Sequence, residues 1–260
     1  MINLKEVLSE VKKWAREVGE FQSMKSREND FGIETKSSEI DLVTEVDNRS
    51  EEMIIEKIEK NFSEHSILGE EGGSVDKESE YTWIIDPIDG TNNYANGYPL
   101  YCVSIALEHK GEIVLGVVYL PKLDEMFSAV KESGAYLNGE EITVSKCKKL
   151  GNTLVSTGFP YDKVSAKIDN IKHFNKILME VRGVRRSGTA AFDLCNVAAK
   201  RIDGLWEFKL KPWDIAAGKL FVREAGGKVI EKNIDNVPLI VAGNENICNQ
   251  LAEMIDNIKI

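Results

Sequence analysis

The chain is poor in the side chains that run most metal-free hydrolytic chemistry. Its three histidines (His65, His109 and His173) lie in unrelated contexts, so a serine–histidine–aspartate or histidine acid–base mechanism has little material. Its four cysteines (Cys102, Cys147, Cys195 and Cys248) have neither metal-ligand nor disulfide-framework spacing. A reduced chain in the cytoplasm is the plain expectation. No apolar run approaches the roughly 20 residues that span a bilayer, so no membrane partner is expected. The start, Met1-Ile2-Asn3-Leu4-Lys5-Glu6, is amphipathic and acidic, unlike a signal peptide. Basic residues are in deficit, 33 against 43 acids, for a net charge of -10. With no basic stripe, nucleic acid is not expected as the main partner. The sequence also contains no GxxxxGK[ST], no GxGxxG after a strand, no HExxH and no GxSxG. An EF-hand starting at Asp86 fails, because its third position is Ile88 and its twelfth is Gly97 rather than Glu.

What is present is material for a sizeable core: 260 residues, 42% of them hydrophobic, enough for one large domain or two small ones. Leu4, Val7, Leu8, Val11, Trp14, Ala15 and Val18 repeat on one helical face, predicting a helix from residue 3 to about 20. The polar stretch 25–32 reads as a loop or strand turn. Asp47 is placed to N-cap a helix whose inner face carries Met53, Ile54 and Ile58. From 100 to 150 short alternating runs with turns between them, including Asn138-Gly139, predict an antiparallel sheet. From 151 onward strands and helices alternate, ending in a helix over 245–258. The reading is therefore an α+β half, 1–150, followed by an α/β half, 151–260.

The chemistry concentrates at Trp83-Ile84-Ile85-Asp86-Pro87-Ile88-Asp89-Gly90-Thr91-Asn92-Asn93-Tyr94. Trp83 to Ile85 read as a buried strand that Pro87 ends. Asp86 and Asp89 then sit together on a turn. Two carboxylates held so close repel: one stays protonated, or a cation sits between them. Gly90 lets the backbone approach a ligand, and Thr91 can open a helix whose free N–H groups face an anion. Three more acids, Asp47, Glu70 and Asp214, stand at the ends of other predicted elements. An all-oxygen donor set suits Mg²⁺ or Mn²⁺ better than Zn²⁺. A metal would also reverse the local sign of an acidic protein toward an anionic substrate.

At these residues the sequence resembles the inositol monophosphatase family, lithium-sensitive Mg²⁺-dependent phosphatases related to fructose-1,6-bisphosphatase. Trp83 to Tyr94 matches the family's first signature, W-x-[IV]-D-P-[IL]-D-G-T-x-N-[FY]. Trp213-Asp214-Ile215-Ala216-Ala217-Gly218 through Glu224-Ala225-Gly226-Gly227 matches the second. Gly69-Glu70-Glu71, the block from Asp41 to Asp47, and Gly188-Thr189-Ala190-Ala191 match shorter blocks in the same order.

The resemblance implies a layered αβαβα sandwich and a set of roles. Glu70, Asp86 and the Ile88 carbonyl hold one Mg²⁺; Asp86, Asp89 and Asp214 hold a second; Glu70 helps hold a third, with Mn²⁺ as a substitute. Thr91 and Asp47 orient the attacking water. The backbone of Gly90 and Thr91 takes the phosphate. Asp89, Glu207 and the segment Gly188, Thr189, Ala190 take substrate hydroxyls, and Asp214 also borders the substrate. Lys36 lies on a loop near the third metal. Arg185 and Lys209 are candidates for a second phosphate, as in relatives that hydrolyse both inositol phosphates and fructose bisphosphate. A cytoplasmic homodimer acting on a small inositol or sugar phosphate is implied. The alternatives are fructose-1,6-bisphosphatase, alone or dual, 3′-phosphoadenosine 5′-phosphate phosphatase, and a regulatory binding protein without activity.

Overall fold

The computed structural model describes residues 2–28, 33–35, 42–162 and 164–258. In chain order its elements are α1 (Leu4–Glu28), β1 (Ile33–Thr35), β2 (Leu42–Thr44), α2 (Glu45–Asn61), β3 (Ser66–Gly69), β4 (Tyr81–Asp89) and α3 (Thr91–Ala95). The meander β5 (Cys102–His109), β6 (Glu112–Leu120), β7 (Glu125–Val130), β8 (Ala135–Leu137) and β9 (Glu140–Ile142) follows. Then come β10 (Leu154–Thr157), α4 (Ile171–Leu178), β11 (Gly183–Arg185), α5 (Ala190–Ala198) and β12 (Gly204–Phe208). The chain continues through α6 (Pro212–Glu224), β13 (Lys228–Ile234), β14 (Val237–Gly243) and α7 (Glu245–Asp256).

Strands β3 to β9 form one seven-stranded sheet in sequence order, antiparallel except for the parallel β3–β4 pair. A second sheet has the order β11-β10-β12-β14-β13. Side-chain alternation along each strand assigns the layers. On β4, Trp83 and Ile85 join a core with Val11, Trp14 and Ile54 of α1 and α2, while Ile84 faces the other way. That opposite core, with Ala217 and Phe221 of α6 and Leu194 of α5, is shared with Leu205 and Ile240 of the second sheet. On the far side of the second sheet Trp206 and Val241 pack under α7. The result is the αβαβα sandwich that the resemblance implies. β4 reads as a continuous apolar run because both of its faces are covered. Gly116 on β6 lets α6 approach: a Cβ there would stand 3.1 Å from the Ala217 Cα.

Several element boundaries differ from the sequence expectations, each for a tertiary reason. α1 runs eight residues past 20, into the stretch read as a loop. Its extension is tied down by buried Gln22, whose Nε2 donates to the Pro87 carbonyl at 2.8 Å. β4 does not stop at Pro87. Its pairing with β5 shifts register between Asp86 and Asp89, and such an irregularity accommodates a residue with no N–H to give. α2 begins at Glu45, so Asp47 lies inside the first turn instead of capping it. α7 ends at Asp256, short of the expected 258. The short strands β1, β2 and β11 carry no alternation long enough to read. Lys36, Asp41 and the stretch 29–32 lie outside the described residues.

Candidate active site

The C-terminal end of β4, the start of α5 and the start of α6 meet around a cavity of about 500 Å³. Glu70, Asp86, Ile88, Asp89, Gly90 and Thr91 line it from the first sheet. Gly188, Thr189, Ala190, Glu207 and Asp214 line it from the other side. Asp47 stands just behind: Thr91 Oγ1 lies 3.0 Å from Asp47 Oδ1 and 3.1 Å from the Ile88 carbonyl. Of the expected site residues that are described, all but Arg185 are thus at or against one cavity.

Each acid is held by local structure. Gly90, with φ 99°, turns the chain from β4 into α3. A Cβ there would stand 3.0 Å from the Leu100 carbonyl and would be strained by the positive φ as well. Asp89 is anchored at the N-terminus of α5, where Oδ2 accepts from Ala191 N at 2.7 Å and from Thr189 Oγ1 at 2.5 Å. The first-turn amides of α5 are therefore directed at this carboxylate. Thr189, the N-cap of α5, also accepts from Phe192 N. Asp214 is the third residue of α6, and its Oδ2 accepts from Lys211 N at 2.6 Å. Lys211 is the N-cap, so Asp214 closes the helix end from inside. Glu70 follows β3 and donates its own N–H to the Ile85 carbonyl at 3.2 Å. The turn beyond it is gripped by buried Glu51 of α2, which accepts from Glu71 N at 2.9 Å and Gly73 N at 2.8 Å.

Burial sets the electrostatics. Asp86 is 1% exposed, and burial, then the charges of Glu70, Asp89 and Asp214, push its carboxyl well above the usual range. Burial raises Asp89 to about 6, against the opposing bonds from Thr189 and Ala191. Enclosure, then the Asp89 charge, also raises Asp214, and enclosure, then the Asp193 charge, raises Glu207. Four like charges are gathered where water is scarce, a cost that protons or a cation can relieve. One atom points to the cation: the buried Asp86 Oδ1 has no hydrogen-bond partner. An oxygen-only donor set with an unsatisfied carboxylate oxygen fits a hard divalent ion. Among the described residues no three His, Cys, Asp or Glu side chains already close on one point, so the acids surround the cavity without meeting.

The two candidates for a second phosphate stand differently in the structure. Arg185 lies on the edge strand β11, exposed, with Nη1 on the Val184 carbonyl; its neighbour Arg186 lines the cavity instead. β11 ends at Arg185, and Arg186 falls on the segment that leads to α5, a boundary that the sequence does not mark. Lys209 does line the cavity mouth, but its Nζ is paired with Asp162 at 2.6 Å. Sequence reasoning missed Asp193, which is buried at the cavity wall and raised to about 8, first by burial. It also missed Glu51 and the mouth segment Phe159 to Asp162. The only signal for Asp193 was an acid on an otherwise apolar helix.

Comparison with known proteins agrees with this geometry. Residues 3–256 match the model of the inositol monophosphatase family. The inositol monophosphatase of Dictyostelium discoideum is 41% identical over 232 residues, 86% of this chain and 85% of that protein. The Nus factor SuhB of Pasteurella multocida is 43% identical over 208 residues, 80% of this chain and 78% of that protein. The solved inositol monophosphatase of Anabaena (Nostoc) sp. PCC 7120 superposes with a TM-score of 0.89 at 36% identity, covering 99% of this chain and 98% of that one. The gathered acids, the layered fold and these matches have one common explanation: the chain belongs to the inositol monophosphatase family, whose members are metal-dependent phosphoric monoester hydrolases.

Proposed function

We propose that this chain hydrolyses inositol 1-phosphate with Mg²⁺. The carrying observation is the buried Asp86 Oδ1, which has no hydrogen-bond partner, beside a cavity that Glu70, Asp89, Asp214 and Glu207 also line. Glu70, Asp86, the Ile88 carbonyl, Asp89 and Asp214 would hold two to three ions, with Mn²⁺ as a substitute. When bound, such ions neutralise phosphoryl charge and lower the pKa of water.

The chain's own groups do the rest. Thr91 Oγ donates to Asp47, leaving its oxygen to accept a proton from the attacking water, with Asp47 as the next acceptor. The Gly90 and Thr91 backbone takes the phosphate. Glu207 accepts hydrogen bonds from vicinal hydroxyls, which favours a polyol and disfavours a second phosphate. Gly188, Thr189 and Ala190 frame the same ring. Residues 1–150 supply most metal ligands and 151–260 the substrate-reading groups. A lithium-sensitive, cytoplasmic homodimer completes the reading, and no helix among the described residues is long and apolar enough to cross a membrane.

A second reading, fructose-1,6-bisphosphatase activity alone or beside the first, is favoured by Arg186, Lys209 and Lys211 at the cavity wall. The relative called Nus factor SuhB favours a regulatory binding role beside catalysis. A binding-only protein has no need of the full acid set. The test is phosphate release from inositol 1-phosphate and from fructose 1,6-bisphosphate with Mg²⁺, each with and without EDTA. Turnover of inositol 1-phosphate that EDTA abolishes is expected; metal-independent release, or none, rejects the reading.

A further inference from the structure

Behind Glu207 lies a buried polar assembly that takes no part in the chemistry above. Asn170 precedes α4 with a left-handed backbone, φ 69°, and is fully enclosed. Its amide bonds in three directions. Nδ2 donates to Thr157 Oγ1 at 2.8 Å and to the Gly158 carbonyl at 2.6 Å. Oδ1 accepts from the Trp206 indole Nε1 at 2.8 Å. Thr157 Oγ1 donates in turn to the Trp206 carbonyl at 2.6 Å. One side chain therefore joins the end of β10, the start of α4 and the β12 residue immediately before Glu207.

Gly158 connects this assembly to the cavity. A Cβ on Gly158 would overlap Glu207 Oε1. The Glu207 carboxylate thus rests against bare backbone, and Asn170 holds that backbone through its carbonyl. Trp206 and Glu207 are neighbours on β12, so their side chains point to opposite faces. Fixing the indole in the outer layer fixes the pleat that aims Glu207 inward. The task needs a donor pair and an acceptor in one short side chain, which an amide has. An apolar residue would leave the indole N–H and the Gly158 carbonyl unpaired inside the protein.

We propose that Asn170 is a positioning residue for Glu207 and, through it, sets the selectivity for polyol phosphates over phosphate esters that carry no hydroxyls. The proposal rests on the reading of Glu207 as the group that meets substrate hydroxyls. Asn170→Gly keeps the left-handed backbone and removes the amide, and Asn170→Asp restores the acceptor alone. Each is assayed with Mg²⁺ on inositol 1-phosphate, fructose 1,6-bisphosphate and phenyl phosphate, in wild-type and Glu207→Gln backgrounds. Asn170→Gly should lower the polyol-to-phenyl ratio of kcat/KM by about ten-fold, mostly through KM. Asn170→Asp should fall between it and wild type, and Asn170→Gly should add nothing in the Glu207→Gln background. Gly158→Ala, which displaces Glu207 without touching α4, should shift the ratio the same way and carries the test if the Asn170 variants do not fold.

An equal fall on all three substrates, an unchanged ratio, or full additivity with Glu207→Gln overturns the proposal. A wild type that hydrolyses fructose bisphosphate and phenyl phosphate but not inositol 1-phosphate overturns the function instead, and the cycle on fructose bisphosphate still decides the Asn170 question. A wild type with no preference for either polyol over phenyl phosphate overturns both.

Discussion

Asp193 offers the sharpest quantitative test of the cavity's electrostatics, because it is buried there without being one of the proposed metal ligands. It is 4% exposed, and burial raises its carboxyl from 3.8 to about 8. Between those two values the folded protein keeps a proton that the unfolded chain has released. The contribution of this group to stability is therefore complete at low pH and is lost as pH rises from 3.8 toward 8. At about 1.36 kcal/mol per unit, the loss between pH 5 and pH 8 is about 3 to 4 kcal/mol. Asn keeps the size of the side chain and one acceptor oxygen but cannot ionise. Asp193→Asn should then gain on wild type by about that amount between pH 5 and pH 8. The assay is urea unfolding of both proteins in EDTA at pH 5, 6.5 and 8, with the difference read at each pH. Groups remote from Asp193 titrate in both proteins and cancel in the difference, while Glu207 is relieved of the Asp193 charge in the variant, which adds to the gain at high pH. A difference that changes by less than about 1 kcal/mol over this range would show that the carboxyl is not held neutral by burial.

Asp89→Asn should abolish Mg²⁺-stimulated phosphate release, and near wild-type turnover would remove Asp89 from the metal set. Thr91→Val keeps the shape and deletes the hydroxyl bonded to Asp47, so kcat should fall by about 10² or more with KM little changed; an unchanged kcat would place the water elsewhere. His173 is 2% exposed beside Phe208, with neither ring nitrogen paired, and burial lowers its pKa below 6.5. The folded state keeps it neutral, so its contribution is complete above the unfolded pKa and is lost as pH falls below about 6.5. His173→Phe should stabilise the protein over wild type increasingly from pH 7 to pH 5 in urea unfolding, and an advantage independent of pH would exclude the histidine as the cause.

The parts of the site closest in sequence were legible from residue chemistry. Asp86, Asp89, Gly90 and Thr91 fall within six positions at the end of an apolar strand, and two close carboxylates must share a proton or a cation wherever they sit. The raised carboxyls of Asp86 and Asp89 follow from that spacing and from burial. Asp214 was legible as an acid at a helix start, but Glu207 was singled out only through the family resemblance, since nothing local marks an acid on a strand as facing a cavity. Arg185 and Arg186 could not be told apart, because the end of a three-residue strand leaves no mark in the sequence. The pairing of Lys209 with Asp162 joins residues 47 positions apart and leaves no local mark.

The sequence by itself determined the fold class, the family and the acids available. Those follow from hydrophobic periodicity, turn residues and motifs, all written within short windows. Only the tertiary structure decided what each polar group meets. It carried β4 past Pro87, gave the α5 amides to Asp89, set Glu51 behind Glu70, and placed Asn170 behind Glu207. These partners lie many residues apart along the chain and join through buried hydrogen bonds. The worth of such bonds depends on water being absent, and that absence exists only once the layers have closed.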